Sequence, residues 1–265
     1  MVQCSLLNIR ELRQSELVSF FNSFKLEGFT NNVSHIKCLN KSYPNDFFIA
    51  YKDKELVGFV LAIKESEKFG RLSNLLILKK FRSQGFGKEL LNFAKKHLDG
   101  CQIAIDCIQG KEQIYEAVGF KAYFETSLFS FNSGQTQAPK SNITVSNVSE
   151  SSFLEHNLKL NYLKKQSYTS CLFKKSTLCK GVYNEDSLSS YAILLPYKDG
   201  YQIVLSSNEI NEALALIYHL SKDLNKATSI YIEVPQTEQL LLRIVKLHDM
   251  EIVSTTTNMY NKILN

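Results

Sequence analysis

The sequence predicts an α/β chain of two successive domains, each a twisted mixed sheet flanked by helices. Three observations predict it. Residues 75–98 read as an apolar strand, a basic loop with two glycines, and an amphipathic helix. The second half of the chain repeats the order of elements in residues 71–131 without repeating the residues. Between the halves, residues 131–141 are dominated by Gly, Pro, Ser and Gln and have nothing to bury. The expected organisation is a first domain at 1–132, a linker at 133–142 and a second domain at 143–265.

Residues 6–12 read as a first strand. Ser15 is placed to cap a helix whose apolar residues are Leu17, Val18, Phe20, Phe21 and Phe24. Residues 25–30 break it, and a second helical piece runs through 35–39. Residues 47–51 and 56–63 are strands joined at Lys52-Asp53-Lys54. After the strand at 75–78 and its loop, a helix starts at Phe86 and stops at Gly100. Leu90, Leu91, Ala94 and Leu98 recur at helical steps, with Lys88, Glu89, Asn92, Lys95 and Lys96 on the other face. A strand at 102–108, a short helix at 111–118 stopped by Gly119, and an extended run at 120–131 complete the half.

In the second half, residues 151–165 read as a helix and 180–184, 190–195 and 201–205 as strands. The turn Lys198-Asp199-Gly200 joins the last two. Ser206 and Glu209 have capping-box spacing before a helix at 210–220. A strand at 228–234, a helix at 238–247 and a strand at 252–260 follow.

A strand, a glycine-bearing turn and a helix start make an anion site, because helix-start amides point outward unpaired. Lys79, Lys80, Arg82 and Lys88 surround this turn, so the expected guest is a polyphosphate carried by a cofactor. A P-loop needs a glycine where Arg82 stands and Ser or Thr where Glu89 stands. The dinucleotide fingerprint needs a glycine at Leu90 and a strand running straight into Gly85, whereas residues 79–84 intervene. The corresponding turn of the second half, Ser206-Ser207-Asn208-Glu209, has no glycine and one acid. One cofactor site is therefore expected, in the first domain.

Composition narrows the classes. A 44% hydrophobic content fits a globular chain with a normal core. The net charge of +5 is too small and too spread to argue for nucleic acid, and no apolar run approaches membrane-spanning length. Six cysteines without C-x-x-C spacing read as reduced thiols in a cytoplasmic protein. The five histidines are scattered, and no metal site is expected.

Arg82-Ser83-Gln84-Gly85-Phe86-Gly87 resembles the pyrophosphate loop of the GNAT acetyltransferases, [RQ]-x-x-G-x-[GA]. Ile114-Tyr115-Glu116-Ala117-Val118-Gly119-Phe120 resembles that family's second landmark, a short helix with a tyrosine followed by Gly-Phe. The whole chain is similar to tandem GNAT proteins of the YitH type, in which a full domain precedes a divergent GNAT-like one. Glu27-Gly28-Phe29 resembles their Glu-Gly-Trp turn, Asp106 their Leu-Asp-Gly strand, residues 195–201 their second-domain hairpin and Met259-Tyr260 their ending. Phe29 replaces the tryptophan, and Ile105 and Cys107 flank the aspartate.

The resemblance implies two tandem GNAT-like domains and an acetyl-CoA-dependent N-acetyltransferase acting on a small-molecule amine by direct attack. Amides of Ser83, Gln84, Gly85, Phe86, Gly87 and Lys88, with the Arg82 charge, would hold the pyrophosphate. The strand with Leu76, Ile77 and Leu78 would pair with the pantetheine arm and supply an oxyanion donor. Tyr115 is the candidate general acid, since a phenol can protonate a leaving thiolate; the competing reading is a packed core tyrosine. Glu27 and Asp106 are the candidate bases. The alternative function is a non-catalytic CoA-binding sensor or scaffold whose second domain docks a partner. A longer acyl donor also stays open, as does the choice between monomer and homodimer.

Overall fold

The computed structural model describes residues 7–29, 32–140, 142–160 and 165–262. Leu6 of the expected first strand and residues 161–164 of the expected helix at 151–165 lie outside them. The chain forms two compact units. The first runs to Tyr123 and takes in the chain again from Asn258, and the second spans Phe124–Thr257.

The first unit begins with β1 (Asn8–Glu11), α1 (Leu17–Leu26), α2 (Val33–Ser42) and β2 (Phe47–Lys52). Then come β3 (Glu55–Lys64), β4 (Phe69–Ile77), α3 (Phe86–His97), β5 (Gln102–Ile108) and α4 (Glu112–Glu116). The five strands lie side by side in chain order, antiparallel except for the parallel β4–β5 pair. The β2–β3 turn takes Asp53 and Lys54 through positive φ, which fits a tight hairpin. β3 is an almost unbroken apolar run because both its faces are covered. Phe59 meets the Phe20 ring at 5.3 Å on the α1 side. Val60 and Ala62 pack with Leu90, Leu91, Ala94 and Leu98, the predicted stripe of α3.

β4 starts at Phe69 rather than at Leu75. A bulge hid the rest of it from the sequence pattern. Phe59 pairs with Leu76 and Leu61 with Ser73, so Asn74 and Leu75 together face Val60. Asn74 has a φ of 51°. A bulge bends its strand and increases its twist. The consequence is visible one strand over: the β4–β5 ladder runs from Phe69↔Gln102 to Leu72↔Ile105 and stops. Beyond it, β4 diverges from β5 and leaves a wedge between them.

Ser15 does not cap α1, because residues 14–16 form a 3-10 turn. Glu16 in that turn receives both terminal nitrogens of Arg10 (2.8 and 2.6 Å) and the Arg13 amide (2.8 Å). The Arg10 hydrogen bonds hold its carboxyl down at about 2, against an ordinary 4.5. A depressed carboxylate stabilises the fold above its unfolded pKa and loses that contribution as pH falls through the folded one. The stability difference between wild type and Glu16→Gln should therefore shrink as pH falls from about 4.5 to about 2. Urea melts at stepped pH values check this, and a constant difference would remove Glu16 as the cause.

In the second unit the chain forms β6 (Lys121–Asn132, from Phe124 on), β7 (Ser146–Asn147), α5 (Glu150–Lys159), α6 (Gln166–Lys175) and β8 (Leu178–Asn184). β9 (Ser187–Tyr197), β10 (Gly200–Ser206), α7 (Ile210–Ser221), β11 (Ser229–Pro235), α8 (Gln239–Leu247) and β12 (Glu251–Tyr260) follow. The strand order is β12-β6-β11-β10-β9-β8-β7, and only β10–β11 among the registered pairs is parallel. Phe129, Phe131, Leu194, Ile203, Leu216, Ile230 and Ile232 form its core.

The unit boundary falls within β6, at 123/124, rather than at 132/133. The reason is packing: Phe129 and Phe131 belong to the second core, while Met259 belongs to the first. The expected linker is not free chain at its start. Ser133 and Gly134 donate their amides to Thr228 and Lys226 carbonyls (3.0 Å each), and the Ser133 hydroxyl to the Asn225 carbonyl (2.6 Å). The sequence reading also missed α6, whose buried Tyr168, Cys171 and Leu172 carry the helical spacing.

Cys101, Cys107 and Cys179 are free thiols, as expected. Cys38 and Cys171 are disulfide-bonded, which departs from the expectation of six reduced thiols. Among the described residues, no helix is long and apolar enough to cross a membrane and no side-chain cluster has the makings of a metal site.

Candidate active site

The loop at the end of β4 is built to leave its amides bare. Ser83 and Gly85 take positive φ (61° and 87°), turning the chain sharply into α3. No amide from Ser83 to Gly87 has a hydrogen-bond partner among the described residues. A Cβ at Gly85 would meet nothing within 4 Å, so the space outside it is open. One at Gly87 would lie 3.6 Å from the Ile77 side chain, which sets the loop against the diverging end of β4. Bare amides at the start of a twelve-residue helix, with its dipole behind them, suit an anion.

Each predicted loop residue has a distinct part. Phe86 is buried in the core and anchors the helix start. Gln84 ties back to the Lys80 carbonyl (3.1 Å). Lys80 pairs with Glu55 at 2.5 Å. Lys79 and Lys88 are exposed and have no ion pair among the described residues, which leaves them as the uncommitted cations. Arg82 folds back: its Nε donates to the Ile77 carbonyl (2.9 Å) and a terminal nitrogen to Glu27 (2.5 Å).

Of the three strand residues, Leu78 donates its amide to the Val57 carbonyl (2.9 Å) and is occupied within the sheet. Strand alternation gives Leu76 the same direction and turns the Ile77 amide to the opposite edge, toward the wedge. Ile77 is thus the residue of the trio whose N–H faces where a thioester carbonyl would lie.

Tyr115 stands at the other wall. It closes α4, and its ring packs into the first core at 6.2 Å from Phe120. Burial, with Cys107 beside it, pushes its phenol up to about 12. Burial likewise raises the Cys107 thiol to about 11, and that thiol donates to the Ile108 carbonyl (3.2 Å). Cys107 lies past the last rung of the β4–β5 ladder, so Tyr115 sits against the diverging half of β5. The Tyr115 hydroxyl has no hydrogen-bond partner among the described residues. A core tyrosine ordinarily satisfies its hydroxyl.

The two candidate bases are placed apart. Asp106 projects from the face of β5 opposite to Cys107 and pairs with Arg71 (3.5 Å), with its side chain 41% exposed. Arg71 also meets Glu65 (3.3 Å), a contact that sequence reasoning missed because the bulge obscured this part of β4. Glu27 is 15% exposed and engages Arg82 and the Lys79 amide.

The matching turn of the second unit is closed. The expected Ser206–Glu209 capping box does not form; Ser207 instead accepts the Glu209 amide (3.2 Å). Glu212, in the first turn of α7, accepts from the Ser190 hydroxyl, which in turn reaches Ser207 (3.0 Å). The chain's own carboxylate occupies the helix start that an anion would need.

Comparisons with known proteins agree with this geometry. Residues 14–132 match an acetyltransferase (GNAT) domain, and residues 170–264 match a second one. A holothin acyltransferase of Pseudoalteromonas sp. (strain SANK 73390) is 28% identical over 107 residues, covering 39% of this chain and 36% of the relative. The chain thus aligns with about a third of that relative's length. Among solved structures, an acetyltransferase from Pyrococcus horikoshii superposes with a TM-score of 0.76 at 13% identity, over 100% of this chain and 96% of that one. A tandem GNAT protein from the clavulanic acid biosynthesis pathway gives 0.69 at 10% identity, over 98% and 100%. At such identities the superpositions speak to the fold alone. With both halves matched by that family's domains, the chain belongs to the GNAT acyltransferases as a tandem-domain member.

Proposed function

We propose that the protein transfers an acetyl group from acetyl-CoA to a small-molecule primary amine by direct attack in a ternary complex. The observation that carries this is a wedge whose two walls bear complementary groups. One wall ends in a loop of five bare amides, and the other holds an unpartnered tyrosine hydroxyl.

Amides of Ser83 to Gly87 would hold the diphosphate of acetyl-CoA, with Lys79 and Lys88 adding charge. Bound acetyl-CoA supplies an activated thioester carbonyl. The Ile77 amide would polarise the carbonyl oxygen from the β4 edge. As the C–N bond forms and the C–S bond breaks, Tyr115 donates a proton to the departing sulfur. Asp106, half in solvent beside Arg71, accepts the proton lost from the amine, directly or through water.

Calorimetry with acetyl-CoA should give saturable one-site binding. A panel of amines with thiol release as the readout should then find an acceptor. Absence of any saturable binding would end this reading, and binding without turnover on the whole panel would leave a CoA-binding protein in its place.

A further inference from the structure

We propose that Glu27 is a positioning residue for the diphosphate loop rather than the base that deprotonates the acceptor. The inference rests on the acetyl-CoA reading above and reassigns one residue within it. The Glu27 carboxylate makes two contacts with residues far along the chain. One oxygen accepts the Lys79 amide (2.9 Å) and the other the Arg82 guanidinium (2.5 Å). Arg82 spends a second donor on the Ile77 carbonyl (2.9 Å). Glu27, Arg82, Ile77 and the Lys79 amide thus form a bracket around the point where β4 becomes the loop.

That point needs a bracket. Ser83 is held at a positive φ without glycine's freedom, and the amides after it have no partner within the chain. Nothing in the loop's own hydrogen bonding fixes the direction of those amides. The fixed points are on either side: Phe86 in the core, and the Glu27–Arg82 pair before Ser83. Glu27 is itself held by a formed turn. Its amide and that of Gly28 donate to Ser23 and Lys25 carbonyls (3.2 and 3.1 Å), and the Phe29 amide reaches the Phe24 carbonyl (2.9 Å).

The same contacts argue against a base. With its two oxygens engaged by a cation and an amide, the carboxylate keeps its negative charge and has little reason to take up a proton. Its charge also offsets that of Arg82, so the cations left to meet a diphosphate are Lys79 and Lys88.

The test compares wild type, Glu27→Gln and Glu27→Asp. In ligand-free protein, Glu27→Gln should accelerate amide exchange at Lys79, Phe81 and Arg82 and leave α1 and β3 protected. It should weaken acetyl-CoA binding roughly tenfold, the scale of losing a hydrogen bond to a charged partner. Glu27→Asp, which keeps the charge, should restore part of the affinity. The pH profile of kcat should be that of wild type in both variants. Unchanged exchange and unchanged affinity would overturn the proposal, as would a large fall in kcat with loss of the acidic limb at unchanged affinity. If wild type binds no acetyl-CoA, the functional reading falls, and the exchange arm still decides whether Glu27 holds the loop.

Discussion

Replacing Tyr115 with phenylalanine is expected to lower kcat by about a hundredfold or more while leaving acetyl-CoA affinity unchanged. The ring stays, so its contact with Phe120 and its place in the first core stay with it. What goes is a single hydroxyl with no partner among the described residues, so no hydrogen bond of the fold is broken. The expected signature is therefore a kcat effect with unaltered melting and binding, measured at saturating acetyl-CoA by thiol release. Burial pushes the phenol up to about 12, so the group remains protonated across the working range. Activity should accordingly show no loss attributable to Tyr115 as pH rises to 10. An unchanged kcat in the variant would return Tyr115 to the role of a packed core residue and assign sulfur protonation to water.

Much of this site was readable from residue order because its chemistry is local. The loop, the helix start and the short tyrosine helix are each continuous segments, and the glycines at 85, 100 and 119 mark turns that positive φ requires. The hairpin at Asp53-Lys54 and the amphipathic stripe of α3 were legible for the same reason. What escaped is whatever depends on partners distant in the chain. β4 was cut short because its bulge at Asn74 interrupts the two-residue alternation by which a strand is recognised. The Glu27–Arg82 pair joins residues 55 apart, and no spacing rule reports it. The boundary within β6 depends on which core Phe129 and Phe131 enter, a choice invisible in their own pattern. The closed turn of the second unit lies between these extremes. Its missing glycines were plain, but the carboxylate that occupies the helix start is Glu212 rather than Glu209.

Gly58→Ala is expected to be the most damaging of the single methyl additions to the first unit. Gly58 lies on β3 beside the end of β4, and a Cβ there would sit 2.1 Å from the Leu76 carbonyl oxygen. Backbone cannot swing aside as a side chain can, so one of the two strands must move. Overpacking of this kind costs about 1–3 kcal/mol. For a unit of this size that lowers Tm by roughly 5–10 °C, at 2–4 °C for each kcal/mol. The displacement falls on Leu76 and Ile77, which form the β4 wall of the wedge, so acetyl-CoA affinity should fall together with Tm. Gly100→Ala separates the two effects. It also replaces a glycine, at a φ of 84°, but its Cβ would meet nothing within 4 Å. That variant should carry only the left-handed backbone strain of about 1–2 kcal/mol and bind acetyl-CoA as wild type does. Scanning calorimetry and acetyl-CoA titration on both variants decide the matter. If Gly58→Ala melts and binds like wild type, the close approach of β3 to β4 is not what fixes the diverging strand, and the bulge at Asn74 must hold the wedge open alone.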